Sequence, residues 1–148
     1  MKYVSTRGSC DPQSFEEVLL TGLAPDGGLY VPQSLPSSPL NKWSGGRILS
    51  YSDLAFEIIT PFIDGAIPKQ ELKDIIDASY QEFDHPDVAP ISQLGENEYV
   101  LELFHGPTLA FKDFALQVLG RMLDCVLKKN QQKFVILGAL PAIQVRLL

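Results

Sequence analysis

Lys112 is the residue whose setting most favours chemistry. It stands in the run Phe104-His105-Gly106-Pro107-Thr108-Leu109-Ala110-Phe111-Lys112-Asp113-Phe114, where a loop gives way to a helical pattern. Its apolar neighbours make a charged ammonium costly, and the positive end of a helix opposes it as well. Both favour a neutral amine, which attacks an aldehyde and forms a Schiff base. The plainer reading is a solvated charge at a helix start, the commoner use of a lysine there. Asp113 is ambiguous in the same way, and complementing the helix dipole is its commoner role. His105 is either a ligand-facing group or an ordinary turn histidine. With no partner evident in the sequence, the turn reading is preferred. Cys10 and Cys125 lie far apart without a CxxC neighbour, so neither a zinc site nor a disulfide framework is implied. They read as free thiols, which fits a reducing compartment.

The elements that must position Lys112 follow from hydrophobic pattern. Residues 99–103 read as a strand, 105–108 as a loop and 113–129 as a helix. Phe114, Val118, Met122 and Val126 recur at helical steps, with Leu116, Leu119 and Leu123 beside them. A stripe that wide predicts a largely buried helix. Lys128 and Lys129 suit its C-terminal end. The continuous apolar run 134–137 reads as a strand covered on both faces. Strand, helix and strand together predict one right-handed parallel unit, with its ligand at the strand-to-helix loop.

The first part of the chain is helical in pattern. Ser14-Phe15-Glu16-Glu17 has the form of a capping box, and Gly22 offers a stop. Pro25-Asp26-Gly27-Gly28 is a turn signal before the extended run Leu29-Tyr30-Val31. Residues 32–46 are rich in Pro, Ser and Gly and read as a surface loop. A second helix is expected over 52–62, from Leu54, Ala55, Ile58 and Ile59. Pro68 suits the first turn of a third, with Leu72, Ile75, Ile76 and Tyr80 on its apolar face. Pro86 and Pro90 mark residues 81–96 as a linker. The fold class is therefore α/β, with a small helical domain over residues 1–95 and the start of a parallel-sheet domain over 96–148.

The 148 residues are 45% hydrophobic, enough to fill a core, and carry a formal net charge of -6. That acidic balance, without a basic patch, excludes nucleic acid and an anionic membrane surface as expected partners. No run approaches the ~20 apolar residues that a membrane-spanning helix needs. The N-terminal MKYVSTRGSCDP lacks the apolar core of a signal peptide. The default expectation is cytoplasmic, and an extracellular role would need non-classical export.

The segment FHGPTLAFKDFALQ resembles the cofactor-lysine segment of threonine synthases and of the threonine synthase-like proteins of animals. MKYVSTRG and SFEEVLLTGLAPDGGLYVP resemble the opening of the same family, and the likeness covers roughly residues 1–137. The animal threonine synthase-like branch is the closer in character. The resemblance implies a fold-type II pyridoxal-phosphate enzyme in which Lys112 carries the cofactor and moves protons at the substrate carbons. Phe111 and Asp113 match the positions flanking that lysine. Residues 22–29 match the family's N-terminal signature, in a small helical domain beside the active site. The implied substrates are phosphorylated hydroxy-amino acids. Synthases convert O-phosphohomoserine to threonine, and the synthase-like proteins suit phosphate removal from compounds such as O-phosphothreonine, giving keto acids and ammonia.

Where the family continues with a Ser-Gly-Asp-Thr-Gly type loop, this chain reads Gly138-Ala139-Leu140-Pro141-Ala142-Ile143-Gln144-Val145-Arg146-Leu147-Leu148. That loop, the glycine-rich phosphate cradle and the hydroxyl partner of the pyridine nitrogen are not in it. The expectation is thus a C-terminally truncated chain, or isoform, that is inactive alone. Open sheet edges and the apolar tail 140–148 would favour self-association or a protein partner. The alternative function is a non-catalytic, cytokine-like binding or signalling protein derived from the enzyme; a fragment without function is a third possibility.

Overall fold

A computed structural model describes residues 1–36 and 49–135. The expected loop over 32–46 lies largely outside them, as do residues 136–137 of the expected last strand and the whole tail. The chain divides into two compact units, Met1–Ile76 and Asp77–Leu148, and the division falls inside a helix.

In the first unit, β1 (Tyr3–Ser5) pairs antiparallel with β2 (Tyr30–Pro32), in register Tyr3↔Pro32, Val4↔Val31 and Ser5↔Tyr30. Proline is tolerated at Pro32 because a two-stranded ladder has only edge strands. Between the strands runs α1 (Phe15–Thr21). Its capping box forms as the sequence predicts: the Ser14 hydroxyl accepts from the Glu17 amide at 3.3 Å, and the Glu17 carboxylate accepts from the Ser14 amide at 2.7 Å. Gly22, at φ 74, ends the helix in a conformation that glycine adopts without steric cost.

The helix α2 (Tyr51–Ile63) is capped by Ser50, and Asp64 closes it in the left-handed region. Ile58 is exposed although the periodicity puts it on the apolar face. Tyr3 is buried, meets the Phe15 ring at a tilt with centroids 6.2 Å apart, and donates its hydroxyl to the Phe62 carbonyl at 2.7 Å, tying β1 to α1 and α2. Next comes α3 (Lys69–Tyr80), whose first hydrogen bond runs from the Leu72 amide to the Pro68 carbonyl at 2.9 Å. Leu72, Ile75, Ile76 and Tyr80 are all buried, as their spacing predicts. Ile63, Ile67, Leu72 and Ile76 are the deepest apolar side chains of the first unit, each contributing about 1.5–3 kcal/mol by burial.

The second unit begins with the last turn of α3. Residues 81–96 are more than a linker: they hold the buried Phe83 and Val88 and the strand β3 (Ile91–Gln93). The prolines that suggested a linker, Pro86 and Pro90, both precede that strand. β3 pairs antiparallel with β4 (Tyr99–Leu101), in register Ile91↔Leu101, Ser92↔Val100 and Gln93↔Tyr99. The α/β class holds, but both ladders among the described residues are antiparallel. Among the described residues Tyr99–Leu101 pairs with the strand that precedes it, and Phe134 and Val135 adopt no strand.

The helix α4 (Asp113–Lys129) has the expected bounds. The end of α3 grips its first turns. The Ser79 hydroxyl donates to the Gln117 carbonyl at 3.2 Å, the Tyr80 hydroxyl donates to the Phe114 carbonyl at 3.1 Å, and Phe83 meets Phe114 edge-on at 4.9 Å. Val118, Met122 and Val126 are buried, whereas Leu116 and Leu119 are exposed. The helix is therefore buried along one stripe rather than largely buried. The second stripe has no cover among the described residues.

Candidate site: the lysine loop at the head of α4

The loop between β4 and α4 is fixed at both ends. At the first end, the His105 ring sits between two carboxylates. Its Nδ1 is 2.6 Å from Asp84 Oδ1 and its Nε2 is 2.6 Å from Glu102 Oε2. Protonated, the ring donates to both. The Glu102 contact, then the Asp84 one, hold its pKa above the ordinary histidine value against some desolvation. Glu102 in turn is lowered, first by the Ser92 hydroxyl that donates to it and then by His105. Phe104 and His85 lie 4.6 and 5.1 Å from the His105 ring. The backbone joins in, with the Asp84 amide donating to the His105 carbonyl at 2.9 Å. His105 is thus a clamp that joins β4 to the 81–90 turn. The i,i+3 spacing of Glu102 and His105 is visible in the sequence; Asp84, 21 positions away, is not.

At the second end stands Asp113, fully buried. Its carboxylate accepts from the Thr108 amide at 2.9 Å and from the Thr108 hydroxyl at 2.8 Å. Gln117 adds a donor at 3.4 Å. Asp113 therefore does more than complement a dipole: it closes the loop on itself. Gly106 makes this possible, because a Cβ there would lie 2.4 Å from the Asp113 Cβ.

Lys112 is the N-cap residue of α4, makes no side-chain cap and is exposed. Among the described residues its amine has no hydrogen-bond or ion-pair partner. The exposed side chains of Leu109 and Phe111 stand beside it in sequence. The apolar enclosure expected around Lys112 is not formed by the described residues.

The glycine-rich turn of the first unit is also built around an aspartate. Asp26 accepts from the Ser5 hydroxyl at 2.7 Å, the Gly28 amide at 2.9 Å and the Ser9 amide at 3.1 Å. The Ser5 contact first, then Gly28, bring its carboxyl down to about 2. Among the described residues neither Cys10 nor Cys125 is in a disulfide, and no group of residues suited to a metal ion occurs.

Comparison with known proteins places these features in a family context. A family model described as "Threonine synthase N terminus" matches residues 2–80. A threonine synthase of Pseudomonas aeruginosa is 54% identical over 139 residues, covering 94% of this chain and 30% of that protein. The threonine synthase-like 2 of Xenopus laevis is 41% identical over 143 residues, again covering 94% and 30%. The crystal structure of a pyridoxal-phosphate-bound threonine synthase from Brucella melitensis superposes with a TM-score of 0.86 at 47% identity, over 88% of this chain and 28% of that one. The chain thus spans about 30% of the length of the curated relatives it matches.

Proposed function

The chain belongs to the threonine synthase family, and from that membership we propose that Lys112 is the amine that carries pyridoxal phosphate. One observation carries the reading. The loop before α4 holds its backbone through Asp113 and Thr108 while leaving the Lys112 amine exposed and unpaired among the described residues. Lys128, by contrast, lies 2.6 Å from the Asp124 carboxylate and must give that contact up before it reacts.

The residues present fit the aldehyde end of the cofactor. They do not fit its phosphate end at this loop. The first amides of α4, where an anion would otherwise sit, are taken up by the carbonyls of Ala110, Phe111 and Lys112. The phosphate contacts must come from other parts of the family's chain. When bound, pyridoxal phosphate supplies an electron sink for negative charge on the substrate carbons. Lys112 holds the cofactor and, when its amine is free, moves protons at those carbons. The proposed reaction of the whole protein is phosphate elimination from a phosphorylated hydroxy-amino acid, such as O-phosphohomoserine or O-phosphothreonine. This stretch alone holds the group weakly and does not turn it over, because catalysis needs contacts on every side of the reacting atoms.

Residues 1–95 act in this reading as the N-terminal domain of such an enzyme, and 96–148 as the start of its cofactor domain. No described helix is long and apolar enough to cross a membrane. Two cysteines outside any disulfide support a reducing, cytoplasmic setting in this reading.

The test is to mix the chain with pyridoxal phosphate, trap the adduct with borohydride and map it by peptide mass. Labelling should be several-fold richer at Lys112 than at Lys128, and the Lys112→Ala chain should lose it. Equal labelling of the two lysines overturns the proposal.

A further inference from the structure

We infer that Asp113 and Thr108 form a lock that positions Lys112 for its cofactor, a role that rests on the assignment of Lys112 above. Four observations converge on it. The Asp113 carboxylate is wholly buried, and its two oxygens are taken up within its own loop by the Thr108 amide and hydroxyl. Leu109, the next residue, is held at φ 59, a left-handed conformation that costs a leucine free energy and persists only when its surroundings dictate it. Gly106 gives up a side chain so that Asp113 can occupy the space. Ala110 and Phe111 then accept from the amides of Asp113 and Phe114, at 2.9 and 3.3 Å, so the turn runs straight into α4.

Lys112 has no anchor of its own side chain at this helix start. Its backbone is placed by its neighbours, and the lock leaves its long, flexible side chain as the one mobile part of the residue. A fixed origin matters for a lysine that must reach one aldehyde carbon, because a wandering backbone spreads the amine over a larger volume and lowers its effective concentration there. The lock also keeps the exposed Leu109 and Phe111 on the same short turn as the amine, where they offer an aromatic aldehyde apolar surface to cover.

Thr108→Val and Thr108→Ser separate positioning from mere structure. Valine matches threonine in shape but cannot donate to Asp113; serine keeps the hydroxyl. In the whole chain, trapped pyridoxal-phosphate adduct is measured at Lys112 relative to Lys128 in the same sample. The wild-type enrichment should persist in Thr108→Ser and fall several-fold, toward parity, in Thr108→Val. Hydrogen exchange at residues 106–112 should speed up in the valine variant alone. If Thr108→Val fails to fold, Asp113→Asn, which preserves size, takes its place with the same readouts. An unchanged ratio in Thr108→Val, or in Asp113→Asn where that stands in for it, or a ratio that serine fails to restore, overturns the positioning role and leaves the Lys112 assignment intact. No enrichment in the wild type overturns the assignment, and the positioning role with it.

Discussion

Two loops of this molecule use the same parts to different ends. Each is organised by an aspartate that accepts from a hydroxyl and from backbone amides, and each includes a glycine whose missing Cβ makes room. The Asp26 loop reaches across 21 residues to Ser5 and so joins β1 to the turn before β2. The Asp113 loop reaches back five residues to Thr108 and joins nothing remote. The first fixes tertiary structure. The second fixes only itself, and an exposed lysine stands at its end. A lock this local ties no distant element; what it places is Lys112, which lies between its two ends.

The glycines test this contrast most severely. At Gly106 an added Cβ would lie 2.4 Å from the Cβ of Asp113 and 2.7 Å from its Cγ, atoms tied closely to the backbone of α4. At Gly28 the nearest atom would be the Ser5 hydroxyl, at 2.2 Å, the free end of a short side chain that can turn away. Gly106→Ala should therefore cost about 1–3 kcal/mol by overpacking. Gly28→Ala should cost less, about 1 kcal/mol, for the lost Ser5–Asp26 hydrogen bond. Denaturant unfolding of the two variants checks the order. If Gly28→Ala is the worse, the Asp113 loop is the more adaptable of the two and does not hold Lys112 in a fixed place.

Acid probes the first loop next. The Asp26 carboxyl titrates at about 2 in the folded chain against an ordinary 3.8. A carboxylate lowered in this way stabilises the fold above the ordinary value, and the contribution is lost as pH falls toward 2. Between pH 4 and 2, part of the fall in melting temperature should disappear in Asp26→Asn, whose side chain does not titrate. A variant that falls as steeply as the wild type would show that Asp26 does not hold the turn.

Much of this was legible in the sequence where the signal is local. The Ser14–Glu17 box, the Gly22 stop and the bounds of α4 at Asp113 and Lys129 all follow from spacing within a few residues. So does the apolar face of α3. What could not be read is pairing across distance. Nothing local says that β4 pairs back onto β3, which the prolines disguise as linker. The exposure of Leu116 and Leu119 was equally hidden, since periodicity states which face is apolar but not what lies against it. At the site, Lys112 was identified from its neighbours and from likeness to a family. The clamp on His105 was missed because one of its jaws, Asp84, comes from another turn.

That clamp gives the smallest expected effect and separates the two units by pH. Its charged ring faces Asp84 and Glu102, with His85 5.1 Å away. The Glu102 contact first, then Asp84, raise the His105 pKa above 6.5. A histidine raised in this way adds its full stability below 6.5, and loses it as pH climbs through the higher folded value. Glu102 works in the opposite sense: its lowered pKa adds stability above 4.5 that is lost as pH falls through the folded value. The clamp should therefore be strongest from about pH 4.5 to 6.5, whereas Asp26 in the first unit is unaffected by any rise above that window. Proton NMR of the His105 ring should show a midpoint above 6.5 that falls in Glu102→Gln and, to a lesser degree, in Asp84→Asn. Hydrogen exchange at residues 102–106 should quicken as pH rises through that midpoint by more than the intrinsic chemical rate, while β1 and β2 follow the intrinsic rate alone. A midpoint at or below 6.5 would mean that the two carboxylates do not hold the ring in solution, and the first end of the lysine loop would then rest on backbone hydrogen bonds, from the Asp84 amide to the His105 carbonyl and from the Glu102 amide to the Pro90 carbonyl.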